Sequence, residues 1–196
     1  MKRYAALLCC GVLLFWWLLP GSPAAVSAAE EPEIPAAAYA LLEAETGTVL
    51  LESHGSDRLP CGAMAKLMTA LLAAEQLEQG AWTTDAVTGT KGAVIWLTAG
   101  EEMTVGDLLK GLIVGNANDA AVVLAAAAAG DTKQFVMDMN ARAFDLGMRD
   151  TWFTSPQGNT DTSYTTAADL GRLCCALAKK TALQPYFRTW RDFLRG

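Results

Sequence analysis

Residues 118–129 read Asn-Asp-Ala-Ala-Val-Val-Leu followed by five alanines, and no other stretch constrains the fold as much. After its first two residues the segment has no polar side chain. Alanine and leucine favour helix, and a helix without a polar face has to lie inside a domain. As a helix it would rise only about 18 Å, well short of a bilayer's ~30 Å hydrocarbon core. The segment therefore belongs at the centre of a folded domain.

The chain ahead of that domain has a different character. Lys2 and Arg3 are followed by an apolar run from Ala5 to Leu19 and a turn-rich stretch from Pro20 to Ala28. Val26-Ser27-Ala28 has the small-x-small form of a leader cleavage site, so residues 1–28 are expected to be a signal peptide and the protein to be secreted. Residues 29–37 read as a linker, and residues 38–196 as one domain, long enough for a sizeable core. Without Lys2 and Arg3 the 15 basic residues fall to 13 against 21 acidic ones, and the net charge moves from −6 to −8. An acidic domain with no basic cluster excludes a nucleic-acid partner.

Periodicity and punctuation suggest the elements. Tyr39 to Ala44 and Thr48 to Glu52 flank Glu45-Thr46-Gly47 as a β-hairpin. Leu67, Met68, Leu71 and Leu72 place a buried amphipathic helix over Met64 to Gln79, ending at Gly80. Thr83 to Thr90 and Val94 to Leu97 read as short strands or extended loop. Thr104 can cap a helix through Asp107 to Val114, and Asp131 one from Lys133 to Leu146, stopped by Gly147. Asp150 to Tyr164 is a loop containing Ser155-Pro156-Gln157-Gly158, after which Thr165 or Thr166 opens a helix through Ala178.

The chemistry-bearing residues are few. Lys66 lies one helical turn after Ala63, and residues i and i+3 of a helix lie side by side. A lysine so placed could take a proton from a serine hydroxyl, once burial or nearby charge lowers its pKa. Here the partner position holds a methyl group. Asn116 and Asn118 precede the apolar helix, where on their own they would read as caps. Asn116 can hydrogen-bond but lacks the hydroxyl that relays a proton. With Cys9 and Cys10 in the expected signal peptide, three of the five cysteines remain, Cys61, Cys174 and Cys175; an odd number is no disulfide framework, and buried free thiols are expected ahead of a bridge from Cys61 to one of the pair. Cys61, five residues from Lys66, does not share its helix face and is a poor substitute nucleophile. His54 is the only histidine and lies in a polar turn, so neither a His-based triad nor a metal site is expected.

Read in order, these pieces resemble the serine-type D-Ala-D-Ala carboxypeptidases, the low-molecular-mass penicillin-binding proteins. The resemblance rests on Tyr39 to Leu50, Lys66-Leu67-Met68-Thr69-Ala70-Leu71, Gly100-Glu101 to Leu109, Asn118-Asp119-Ala120-Ala121, Phe135 to Asn140, Leu146-Gly147-Met148 and Thr151 to Gly158. Penicillin-binding proteins carry Ser-x-x-Lys, Ser-x-Asn and Lys-Thr-Gly elements. The resemblance implies an α/β serine β-lactamase-like fold, with a helical subdomain and an antiparallel sheet. By the same resemblance Lys66 takes the general-base position, Asn118 that of the second-motif asparagine, Asn116 that of its serine, and Ala63 that of the nucleophile, here lost. No cofactor is implied, and the implied partners are peptidoglycan stem peptides or β-lactams.

Two departures stand out. Ala63 offers no nucleophile, and no Lys-Thr-Gly appears; Lys180-Thr181-Ala182 lacks the glycine and falls at a helix end. The expectation is an exported, inactive homologue whose closing strands and C-terminal membrane-associating region are missing. The alternatives are a pseudoenzyme that binds peptidoglycan or a partner enzyme, and a helical secreted domain whose motifs match by chance.

Overall fold

A computed structural model describes residues 34–76, 81–83, 91–158 and 162–194, with only the backbone at 81–83. The expected signal peptide, residues 29–33 of the expected linker, the expected end of the first helix at 77–80 and residues 84–90 lie outside the described residues. The chain divides into two compact units, Met1–Pro35 and Ala36–Gly196. The second carries all the elements below.

Among the described residues its strands come in three antiparallel pairs. β1 (Tyr39–Leu42) pairs with β2 (Val49–Ser53), with Leu41 opposite Leu51 and a bulge between Leu41 and Leu42. The expected hairpin is present, and its turn is tied by one carboxylate. Glu43 accepts from the backbone N–H groups of Glu45 (2.9 Å) and Thr46 (2.6 Å) and from the Thr46 hydroxyl (2.7 Å). The Thr46 hydroxyl and these amides hold the Glu43 carboxyl below its ordinary range. β3 (Leu59–Pro60) pairs with β6 (Tyr164–Thr165), and β4 (Ala81–Thr83) with β5 (Glu102–Thr104).

The helices are α1 (Ala65–Gln76), α2 (Val105–Ile113), α3 (Asn118–Ala129), α4 (Thr132–Asp145), α5 (Ala167–Ala178) and the short α6 (Gln184–Phe187). Three begin at the caps read from the sequence. The Thr104 hydroxyl accepts from Asp107 N, the Asp131 carboxylate from Lys133 N and Gln134 N, and the Thr166 hydroxyl from Asp169 N. Each satisfies backbone donors that a helix start leaves without intrahelical partners. Gly147, at φ +77°, ends the turn after α4 in a conformation that favours glycine.

α3 sits at the centre, packed against α1, α2 and α4. Ala120, Ala121, Leu124 and Ala125 are fully buried, as the all-apolar sequence requires. Around it pack Met68 and Leu71 of α1, Leu108 and Leu112 of α2, and Phe135 and Met139 of α4. Full burial of such side chains stabilises by about 1.5–3 kcal/mol each. α5 lies against β1. Among the described residues no single helix is long and apolar enough to cross a membrane.

The cysteines depart from expectation. Among the described residues Cys61, Cys174 and Cys175 are all free, but only Cys61 is buried; Cys174 is exposed and Cys175 half-buried. The adjacent pair occupies successive positions on α5, which 100° of helical rotation keeps from pointing the same way.

Candidate active site

The site begins at the entry to α1. Cys61 N–H donates to the Ser163 carbonyl (3.0 Å), fixing the chain before a 3-10 turn over Gly62–Met64 that runs into α1. This turn presents Ala63 at the surface, and one turn later Lys66 is buried, with 6% of its surface exposed. A second support comes from the loop at 155–158. The Thr69 hydroxyl of α1 donates to the Pro156 carbonyl (2.7 Å), and Gly158 N–H donates to the Ser155 hydroxyl (2.9 Å). Gly158 packs so tightly that a Cβ there would run into the Gly62 carbonyl oxygen.

Ala63, Lys66 and Asn116 line one cavity of about 240 Å³, with Leu112, Ile113 and Tyr186 among its walls. Asn116 is exposed and adopts φ +52°, in the short link between α2 and α3. Asn118 is not part of this lining. It is 3% exposed, and its Nδ2 donates to the Lys91 carbonyl (2.7 Å), while its Oδ1 is buried with no hydrogen-bond partner. Neither asparagine caps α3: the cap residue is Ala117, and no side chain bonds there. The structure thus gathers three of the four sequence-derived positions in one cavity and leaves Asn118 buried beside the 91–97 segment.

Electrostatics separates the two candidate reactive side chains. Cys61 is 1% exposed, and burial pushes its thiol up to about 11, the opposite of what a thiolate nucleophile needs. Burial lowers the pKa of the Lys66 amine below its ordinary 10.5, because desolvation disfavours the ammonium. Among the described residues no hydrogen bond or ion pair offsets that cost. Between the lowered folded value and 10.5 the unfolded chain binds more protons, so stability rises with pH across that window. Lys66→Met is expected to remove this rise, read from urea midpoints over an alkaline pH series. An unchanged slope in Lys66→Met would mean that the amine is as well hydrated folded as unfolded.

Sequence reasoning missed the residues that hold the site together. Asp119, 1% exposed, accepts from Ile95 N–H on both oxygens (3.1 Å each), from Leu97 N–H (3.0 Å) and from Ala120 N–H (2.9 Å). Its neighbour Asn118 donates its own N–H to the Ala93 carbonyl (2.8 Å). Two consecutive residues thereby staple the 91–97 segment to the start of α3. Asn140 of α4 brackets Phe153 in a similar way, accepting from its N–H (2.8 Å) and donating to its carbonyl (2.9 Å), just ahead of the 155–158 loop. The only local signal was an acidic residue in the first turn of a helix, which is ordinary dipole compensation. Among the described residues no group of three or more His, Cys, Asp or Glu side chains is placed to hold a metal ion.

Comparison with known proteins agrees with this architecture. The chain is 33% identical over 205 aligned positions to D-alanyl-D-alanine carboxypeptidase DacF of Bacillus subtilis, covering 100% of this chain and 52% of the relative. It is 29% identical to DacC of Escherichia coli, covering 90% of this chain and 48% of the relative. The chain therefore spans about half the length of these relatives. Among solved structures, a D-alanyl-D-alanine carboxypeptidase from Mycobacterium tuberculosis superposes with a TM-score of 0.77 at 26% identity, covering 82% of this chain and 62% of the other. Penicillin binding protein 6B from Escherichia coli superposes at 0.70 with 28% identity, covering 78% and 53%. The fold is that of the penicillin-binding proteins, with helices and small antiparallel sheets. The family's sequence profile, described as D-alanyl-D-alanine carboxypeptidase, matches residues 25–192, and the chain belongs to that family.

Proposed function

We propose that the protein is an exported member of this family, with residues 1–28 as signal peptide and 38–196 as its carboxypeptidase-like domain. In this reading it holds the D-alanine-ended stem peptides of peptidoglycan without cleaving them. One observation carries the reading: a methyl group, Ala63, faces the cavity one turn before Lys66. Hydrolysis through an acyl-serine needs a hydroxyl there for the lysine to deprotonate. Lys66 keeps the position of the base, Asn116 that of the second-motif serine and Asn118 that of its asparagine.

The test is direct. The mature chain, incubated with a labelled β-lactam, is expected to show no stoichiometric mass increase, and a D-Ala-D-Ala-ended pentapeptide is expected to release no D-alanine. Calorimetry with the same pentapeptide should register binding. A stoichiometric β-lactam adduct, above all on Cys61, would place the nucleophile elsewhere; absence of peptide binding would leave only an inert homologue.

A further inference from the structure

We propose that Lys66 is itself an amine nucleophile, and that the cavity it shares with Ala63 captures a small neutral aldehyde as an imine. The inference goes beyond peptide holding, because it needs only the cavity and the amine.

Three features converge. The position one turn before Lys66 carries a methyl, which neither donates nor accepts a hydrogen bond, so nothing there ties up the amine's lone pair. No carboxylate among the described residues pairs with the amine, and burial favours its neutral form, the form that attacks carbonyl carbon. The cavity, about 240 Å³, is smaller than the ~300–1,000 Å³ typical of drug-sized ligand sites, which suits one small ring or a short chain. Leu67, Leu112, Ile113 and Phe187 supply apolar walls beside the polar Asn116, Tyr186 and Thr189, and among the described residues Lys66 is the only cation lining it. A carboxylate or phosphate on the ligand would meet no second cation among the described lining residues once the amine had reacted. The ligand class is therefore a neutral aldehyde.

The step balances without an oxidant or a second reactant. The Lys66 nitrogen forms a bond to the carbonyl carbon, and the carbonyl π pair moves to oxygen. A proton passes from nitrogen to that oxygen to give the carbinolamine. Loss of water then leaves the C=N bond. A β-lactam would have to bring its fused rings and carboxylate into the same small cavity to meet the amine, so a chain inert to β-lactams can still react with a smaller, neutral aldehyde.

The experiment uses the mature chain, benzaldehyde as probe and cyanoborohydride to fix any imine, with peptide mapping by mass spectrometry. At neutral pH the majority of label on lysines is expected on the Lys66 peptide, ahead of the exposed Lys91, Lys133 and Lys179. That preference should be lost at alkaline pH, where every amine is free. Lys66→Met should lose the label. Ala63→Ser, which leaves Lys66 in place and gives its amine a hydroxyl neighbour, should reduce it. Label spread over the exposed lysines at neutral pH, with Lys66 among the least modified, overturns the proposal. A D-Ala-D-Ala peptide added as competitor separates the two readings. Selective labelling that the peptide does not block keeps the imine and counts against the peptide site; peptide binding with no Lys66 label does the reverse.

Discussion

Replacing Asp119 with alanine is expected to destabilise the domain by about 3–5 kcal/mol, a large share of the ~5–15 kcal/mol that holds a typical domain folded. The carboxylate accepts from the backbone N–H groups of Ile95, Leu97 and Ala120 while 1% exposed. Each buried donor left unsatisfied costs about 1–3 kcal/mol. The alanine methyl supplies no acceptor to replace the carboxylate. Asp119→Asn should lose less, since one oxygen remains, but its amide N–H₂ would face backbone donors. Urea unfolding measures the loss, and hydrogen exchange at the Ile95 and Leu97 amides should accelerate in both variants. A loss below about 1 kcal/mol for the alanine variant would mean that these amides find other acceptors and that the staple is not what holds the 91–97 segment.

Gly158→Ala is the second large effect, expected at about 3 kcal/mol. Two costs combine. Gly158 adopts φ +75°, a region in which an L side chain is strained by roughly 1–2 kcal/mol, and the new methyl would collide with the Gly62 carbonyl oxygen. Overpacking against neighbours typically costs about 1–3 kcal/mol more, and backbone yields less readily than a flexible side chain. The displaced partner is the turn carrying Ala63, so the stem-peptide binding proposed above should weaken along with stability. Thermal unfolding and calorimetry on the same preparation test both halves. A Gly158→Ala protein with parental stability and parental peptide affinity would sink the claim that the loop buttresses the turn.

What the sequence disclosed and what it hid follow from the range of the interactions. The caps at Thr104, Asp131 and Thr166 were legible because a cap and its amide lie two or three residues apart. The centrality of α3 was legible because composition alone forbids it an exposed face. Asp119 was not: it holds amides 22 and 24 residues away, and its position resembles any first-turn acid. Thr69 reaches 87 residues along the chain to Pro156. The pairing of Gly158 with Gly62 is steric, and no residue type announces it. Of the site positions, the Ala63–Lys66 spacing was local and could be read directly. The separation of Asn116, in the cavity, from Asn118, buried behind it, depends on the backbone turn at Asn116. Cys174 departs from the expected burial because cysteine number bears on pairing and not on which face of a helix a thiol occupies, and α5 leaves that position exposed.

The alanines of α3 act as a spacer gauge. Packed helices stand about 8–10 Å apart, the value being set by the side chains at the contact. Methyl groups at Ala120, Ala121 and Ala125 let α1 and α2 approach the central helix closely. Lys66 rides on α1, and Asn116 follows the end of α2. The gap between them is therefore calibrated from underneath, by volumes that never touch a ligand. A change from methyl to isopropyl at one of these positions would open the mouth of the cavity without altering any residue in it. Evolution could thus retune what this chain admits by editing its core and leaving its surface chemistry alone.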